Sequence, residues 1–107
     1  MIDEKVNIII NEIRDELKSL YPDFRGIYLF GSHARGDAND DSDIDIAIIF
    51  DREIDWRFKS QVRNLVSIKE TKHDSLIDSI ILNSYDIVNP KELLIYELNS
   101  KGILYGA

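Results

Sequence analysis

The sequence predicts an α/β (α+β) domain of two layers, a small sheet covered by helices. Three observations lead there. Apolar residues recur at helical spacing in two long segments, near residues 3–20 and 55–69, and three isoleucine-rich or otherwise apolar runs read as strands. The first two of those runs are joined by a segment that is short for a parallel crossover, which takes about a dozen residues or more. Antiparallel pairing within a mixed sheet is therefore expected.

In chain order, Val6, Ile9, Ile10, Ile13, Leu17 and Leu20 fall on one side of a helix running from about Asp3 to Leu20, with Asn11, Arg14, Asp15 and Lys18 on the other. Tyr21-Pro22-Asp23 breaks it, and Gly26 precedes a short strand, Ile27 to Phe30. In the segment from Gly31 to Ser42, His33-Ala34-Arg35 can start a turn of helix. Asp43 to Phe50 begins with alternation and ends as a continuous apolar run, as a strand covered on both faces would. A helix from about Asp55 to Lys69 is expected to bury Phe58, Val62, Leu65, Val66 and Trp56, and Ser75 to Leu82 forms a third strand. A last helix is punctuated by Asn89 as cap, Pro90 at the first helical position, Glu92 closing a capping box and Gly102 at the end. Ile103-Leu104-Tyr105 adds a short edge strand. No internal repeat or linker divides residues 1–107, which read as one domain.

Composition narrows the functions. A chain of 107 residues, 44% hydrophobic and 31% charged, buries a modest core but lacks room for a separate substrate-binding domain, so its substrate is expected to be held partly by another molecule. A net charge of −7 argues against broad nucleic-acid binding while leaving room for a local basic spot that holds one nucleotide. The absence of cysteine excludes disulfides and thiolate metal sites. Met1-Ile2-Asp3-Glu4-Lys5 leads into an amphipathic segment, with no apolar run long enough for a signal peptide or membrane span, and a cytoplasmic location is expected.

The chemistry concentrates in residues 28–50, YLFGSHARGDANDDSDIDIAIIF. Gly31-Ser32 follows directly on a strand. Backbone N–H groups at such a turn suit a phosphate, Ser32 can donate its hydroxyl and Arg35 can add a charged contact. Taken alone, Gly-Ser after a strand is more often only a turn. Asp43-Ile44-Asp45 adds to it, because residues two apart on a strand share a face, so the two carboxylates project side by side. They are either solvated at an exposed strand mouth or neutralised by a hard divalent cation, magnesium or manganese. The two halves converge if the strands are antiparallel or the turn folds back. A phosphate cradle beside metal-binding carboxylates is what phosphoryl or nucleotidyl transfer requires. A third carboxylate is sought at Asp78, inside the apolar run Leu76 to Leu82, with Asp74 as substitute. Asp37, Asp40 and Asp41 read as solvated loop residues, and His33 as an exposed turn residue with no catalytic role.

Gly31-Ser32, ten intervening residues and Asp43-Ile44-Asp45 together resemble the Gly-Ser…Asp-x-Asp signature of the DNA polymerase beta-like nucleotidyltransferase superfamily, and GSHARG…SDIDIAIIF resembles its minimal nucleotidyltransferase (MNT) branch. The resemblance implies the two-layer nucleotidyltransferase fold. It implies that Gly31 and Ser32, with Arg35, bind the nucleotide, that Asp43, Asp45 and Asp78 bind magnesium, and that ATP is the donor. It implies transfer of AMP to a hydroxyl of a HEPN-domain partner, for which the chain would be the antitoxin. These 107 residues hold no counterpart of the C-terminal helical domain with which polymerases and aminoglycoside nucleotidyltransferases hold template or acceptor, so polymerase activity or antibiotic modification by this chain alone is not expected. The alternative implied by the same branch is a non-catalytic antitoxin that neutralises its partner by occlusion. A Rossmann-like nucleotide site fits less well, since Gly31-Ser32-His33-Ala34-Arg35-Gly36 lacks the Gly-x-Gly-x-x-Gly spacing.

Overall fold

The computed structural model describes residues 3–89, 95, 98 and 101–107. In order they form α1 (Glu4–Leu20), β1 (Phe24–Phe30), α2 (Gly31–Arg35), β2 (Ile44–Phe50), α3 (Trp56–His73), β3 (Ile77–Asn83), α4 (Ser84–Val88) and β4 (Ile103–Gly106). The strands make one mixed sheet in the order β3-β2-β1-β4. β1 pairs antiparallel with both β2 and β4, and β2 pairs parallel with β3 through the crossover helix α3.

The long helices begin where local chemistry allows. Asp3 caps α1 by accepting from the Lys5 N–H, and Asp55 caps α3 by accepting from the Phe58 N–H. Each then lays an apolar stripe on the same side of the sheet. Val6, Ile9, Ile10, Ile13 and Leu17 of α1 and Phe58, Val62 and Val66 of α3 join Ile27, Leu29, Ile44, Ile46, Ile48, Phe50, Ile77 and Ile81 in one core. Each aliphatic side chain buried completely in this way contributes about 1.5–3 kcal/mol. The other sheet face carries a smaller cluster around Ala47, Ile49 and Leu98. Residues on both faces of β2 are thus buried, as its continuous apolar run predicts. Phe50 makes edge contacts with Tyr21, Phe24 and Phe58, and closes the end of the sheet away from residue 44.

Several boundaries differ from expectation. β1 begins at Phe24 and contains Gly26, because an irregularity in register between Phe24 and Gly26 lets pairing with β2 continue. α3 runs on to His73, since its last turn is amphipathic through charge pairing rather than through apolar spacing. Lys69 Nζ stands 3.5 Å from Glu12 and 3.6 Å from Glu16, and Lys72 also pairs with Glu12, so the turn is tied to α1 by ions. Trp56 is 73% exposed at the first position of α3, not buried, and Leu20 at the end of α1 is exposed too. The short helix α4 was not foreseen: Asn83 caps it, accepting from the Tyr85 N–H, and Asn89 closes it. The expected helix from Asn89 to Gly102 otherwise falls mostly outside the described residues; within it Ile95, Leu98 and Lys101 are helical. The Gly102 N–H donates to the Leu98 carbonyl, as a helix end there requires. Among the described residues no helix is long and apolar enough to cross a membrane.

The α1–α3 ion cluster gives a pH prediction. The Lys72 ammonium bonded to Glu12, aided by His73, holds the Glu12 carboxyl down at about 2 against an opposing effect of burial. His73 Nε2 lies 2.6 Å from Glu12 Oε2. A carboxyl whose pKa is depressed by folding contributes stability above its ordinary value of 4.5 and loses it as pH falls towards about 2. Glu12→Gln should therefore lower the melting temperature at pH 6, and the difference from wild type should vanish near pH 2. Thermal melts across that range check it; a difference independent of pH would show that the pairing is not the cause.

Candidate active site

The site grows from the point where β1 ends. Phe30 pairs with Asp45 across the β1–β2 ladder, so the chain leaves β1 directly over that carboxylate. Gly31 opens α2 with φ of +72°, in the left-handed region that residues with a Cβ seldom enter. A Cβ at Gly31 would run into Asp45 Oδ2, with Asp45 Cγ 3.1 Å away. Both backbone and space therefore call for glycine. No side chain caps the start of α2, while at its other end the N–H groups of Gly36 and Asp37 both donate to the Ser32 carbonyl, at 3.0 and 3.1 Å.

Asp43 stands just before β2 rather than within it; pairing of β2 with the third strand starts one residue later, where the Ile44 N–H donates to the Leu76 carbonyl at 2.9 Å. Ile44 and Ile46 point into the main core, which leaves Asp45 on the opposite face with Ala47 and Ile49. The parallel β2–β3 register sets Asp45 directly beside Asp78, while Ile77 faces the main core. Glu70 holds this register from α3, its Oε2 accepting from the Ile77 N–H at 2.9 Å. Asp45 is half-buried, and Asp43 and Asp78 are exposed. Burial pushes the Asp45 carboxyl above its ordinary pKa, the charges of Asp78 and then Asp43 push the same way, and His33 and Arg35 oppose them. The three carboxylates thus share one electrostatic neighbourhood.

The other expected residues divide. Asp74 ends α3 in a left-handed conformation and precedes β3, away from the Asp45–Asp78 register. It lines a hollow of about 370 Å³ that His33, Ser42 and Ile44 also border. Arg35 is exposed, its Nε 3.3 Å from Asp37, so it reaches Asp45 by charge without contact. Asp37, Asp40 and Asp41 are exposed loop residues, as predicted. His33 is the correction: it is half-buried, and its Nε2 lies 3.2 Å from the Ser42 carbonyl. Spacing within the sequence gives no sign of that contact.

Among the described residues, no three His, Cys, Asp or Glu side chains are gathered at ligand spacing. Asp43, Asp45 and Asp78 are aligned along one rim without closing into a cage. Their chemistry nonetheless fits a hard divalent cation: all donors are carboxylate oxygens, and a cation would offset the burial, and the repulsion from Asp78 and Asp43, that disfavour the ionised form of Asp45.

A Gly-Ser turn thus stands over one carboxylate, with a second carboxylate two residues before it and a third beside it on the next strand. The family model for the nucleotidyltransferase domain matches residues 10–102, and the chain belongs to that family. Its relative in Methanocaldococcus jannaschii, "Putative protein adenylyltransferase MJ0604", is 37% identical over 83 residues, 77% of each protein. Among solved structures, a Sulfolobus solfataricus protein described as a nucleotidyltransferase superposes with a TM-score of 0.63 at 27% identity, over 95% of this chain and 83% of that one. A chain from the complex of tri-AMPylated Shewanella oneidensis HEPN toxin with MNT antitoxin shares the fold, with a TM-score of 0.58 and 20% identity over 95% of this chain and 73% of its own. The resemblance to the nucleotidyltransferases and the expected mixed α/β nucleotidyltransferase fold are thereby borne out.

Proposed function

We propose that this nucleotidyltransferase moves AMP from ATP to a hydroxyl of a partner protein, with magnesium, and that the partner is a HEPN-type toxin to which the chain is antitoxin. The observation that carries the reading is the position of Asp45, with the Gly31 turn over it and Asp78 beside it. The turn offers backbone N–H groups and the Ser32 hydroxyl to the triphosphate, and Arg35 swings from Asp37 to add a charged contact. Asp43 and Asp45 hold the cation, with manganese as an alternative to magnesium, and the bound ion would screen the phosphate charge. Asp78, in register with Asp45, orients the acceptor hydroxyl and takes its proton. The acceptor oxygen bonds to the α-phosphorus, the α–β bridging bond breaks, and pyrophosphate leaves. The Methanocaldococcus protein's name and the AMPylated HEPN toxin in the Shewanella complex support AMP as the group and a HEPN protein as acceptor. We place the reaction in the cytoplasm, where ATP is abundant.

Incubation with α-labelled ATP, magnesium and a HEPN-type partner should transfer label to the partner. Labelling that fails with every nucleoside triphosphate, while the chain stays folded, overturns the reading. A variant lacking Asp43 and Asp45 that still neutralises the partner would instead assign neutralisation to occlusion.

A further inference from the structure

We propose that His33 is a positioning residue, which holds the nucleotide turn at a fixed distance from the cation-binding carboxylates so that cation and nucleotide bind as one unit. The inference rests on the reading of the site given above. His33 lies one residue after Ser32, and its Nε2 contacts the carbonyl of Ser42, one residue before Asp43. A carbonyl only accepts, so Nε2 carries the proton and donates. This contact joins the two halves of the site across nine residues of chain, from side to side rather than along the backbone.

The far end of the clasp is itself fixed. Asn39 and Ser42 form a small knot: the Asn39 N–H donates to Ser42 Oγ at 3.0 Å, the Ser42 N–H donates to the Asn39 carbonyl at 3.1 Å, and the Asp41 N–H donates to Asn39 Oδ1 at 2.9 Å. Gly36, at φ of +85°, ends α2 and turns the chain towards that knot. Loop residues such as these are otherwise free to drift at the surface. Without the clasp, the turn would still be held at Gly31 by β1 and Asp45 by β2, but Asp43, which precedes β2, would lose the tie that reaches it from the nucleotide side. Asp43 is therefore the ligand whose placement depends most on His33.

The test is the coupling between the two ligands. Binding of a non-hydrolysable ATP analogue is measured by calorimetry with and without magnesium, for wild type, His33→Ala, His33→Gln and Asn39→Ala. Gln can present an N–H near the position of Nε2. His33→Ala should leave magnesium-free affinity within about twofold of wild type and cut the magnesium-dependent gain about tenfold, the scale of one lost hydrogen bond at a part-buried site. His33→Gln should restore most of that gain. Asn39→Ala, an exposed position, keeps the two bonds made by the Asn39 backbone but removes Oδ1 as partner of the Asp41 N–H and the Ser42 hydroxyl; it should cut the gain in the same direction with His33 intact, and it carries the test if His33→Ala does not fold. A wild-type gain in His33→Ala, or in Asn39→Ala where His33→Ala is unfolded, overturns the inference. So does a folded His33→Gln that binds like His33→Ala. If wild type shows no magnesium-dependent gain, the reading of the site fails, and the role of His33 fails with it.

Discussion

Replacing Asp43 and Asp45 together by asparagine should abolish nucleotidyl transfer and leave the protein folded, with a melting temperature at neutral pH no lower than that of wild type. Asparagine keeps the volume and loses the charge. Without charge the pair cannot hold a hard cation, and loss of several kcal/mol of charge stabilisation corresponds to a fall on the order of 10³-fold or more in rate. The stability side follows from electrostatics. Burial, and the charges of Asp78 and Asp43, lift the Asp45 pKa, so the folded protein disfavours the ionised form relative to the unfolded chain. A group whose folded pKa is raised favours the folded state at low pH and disfavours it once pH exceeds the folded value. The gain from the double substitution should therefore appear at pH 7 and disappear in acid. Transfer assays and thermal melts at two pH values test both halves. A variant that melts lower at pH 7 than at pH 4, relative to wild type, would contradict the electrostatic account, and retained transfer would remove the carboxylates from the site.

The site was legible in the sequence to the extent that its parts obey period and spacing. Alternation in Asp43-Ile44-Asp45-Ile46 placed the carboxylates opposite the core, because Ile44 and Ile46 had to be buried. A lone carboxylate in Leu76 to Leu82 marked Asp78, though only the parallel register sets it beside Asp45 and leaves Asp74 at a helix end. Register depends on pairing between strands far apart in the chain, which no local pattern encodes. The same limit explains His33, whose partner is a backbone carbonyl nine residues away. It explains Trp56 as well: helical spacing could put an aromatic ring on either side of the first turn of α3, and tertiary packing left it outside with Arg57 against its ring at 5.3 Å. The last turn of α3 was missed because its inward face is made of Lys69 and His73, which an apolar pattern does not count.

Gly31→Ala should damage both fold and activity, and the two losses have a common origin. Residues other than glycine pay about 1–2 kcal/mol to enter the left-handed region that φ of +72° demands. The new methyl group would also occupy the place of Asp45 Oδ2. Asp45 cannot retreat towards Asp43 or Asp78, whose charges already oppose its own. Either the turn opens or the carboxylate rotates away, and in both cases the turn and the carboxylate separate. Transfer should fall by about 100-fold or more, since a displacement near 1 Å is enough for a loss of that size. Stability should fall by about 1–3 kcal/mol. The double variant Gly31→Ala/Asp45→Ala tells the two causes apart. Removing the carboxylate removes the collision, so its stability should exceed the sum of the single changes by about 0.5 kcal/mol or more, the coupling expected of residues in contact. Denaturant melts of the four proteins measure it. Strict additivity would mean that the backbone conformation alone requires glycine at position 31, and that the close approach to Asp45 plays no part in its choice.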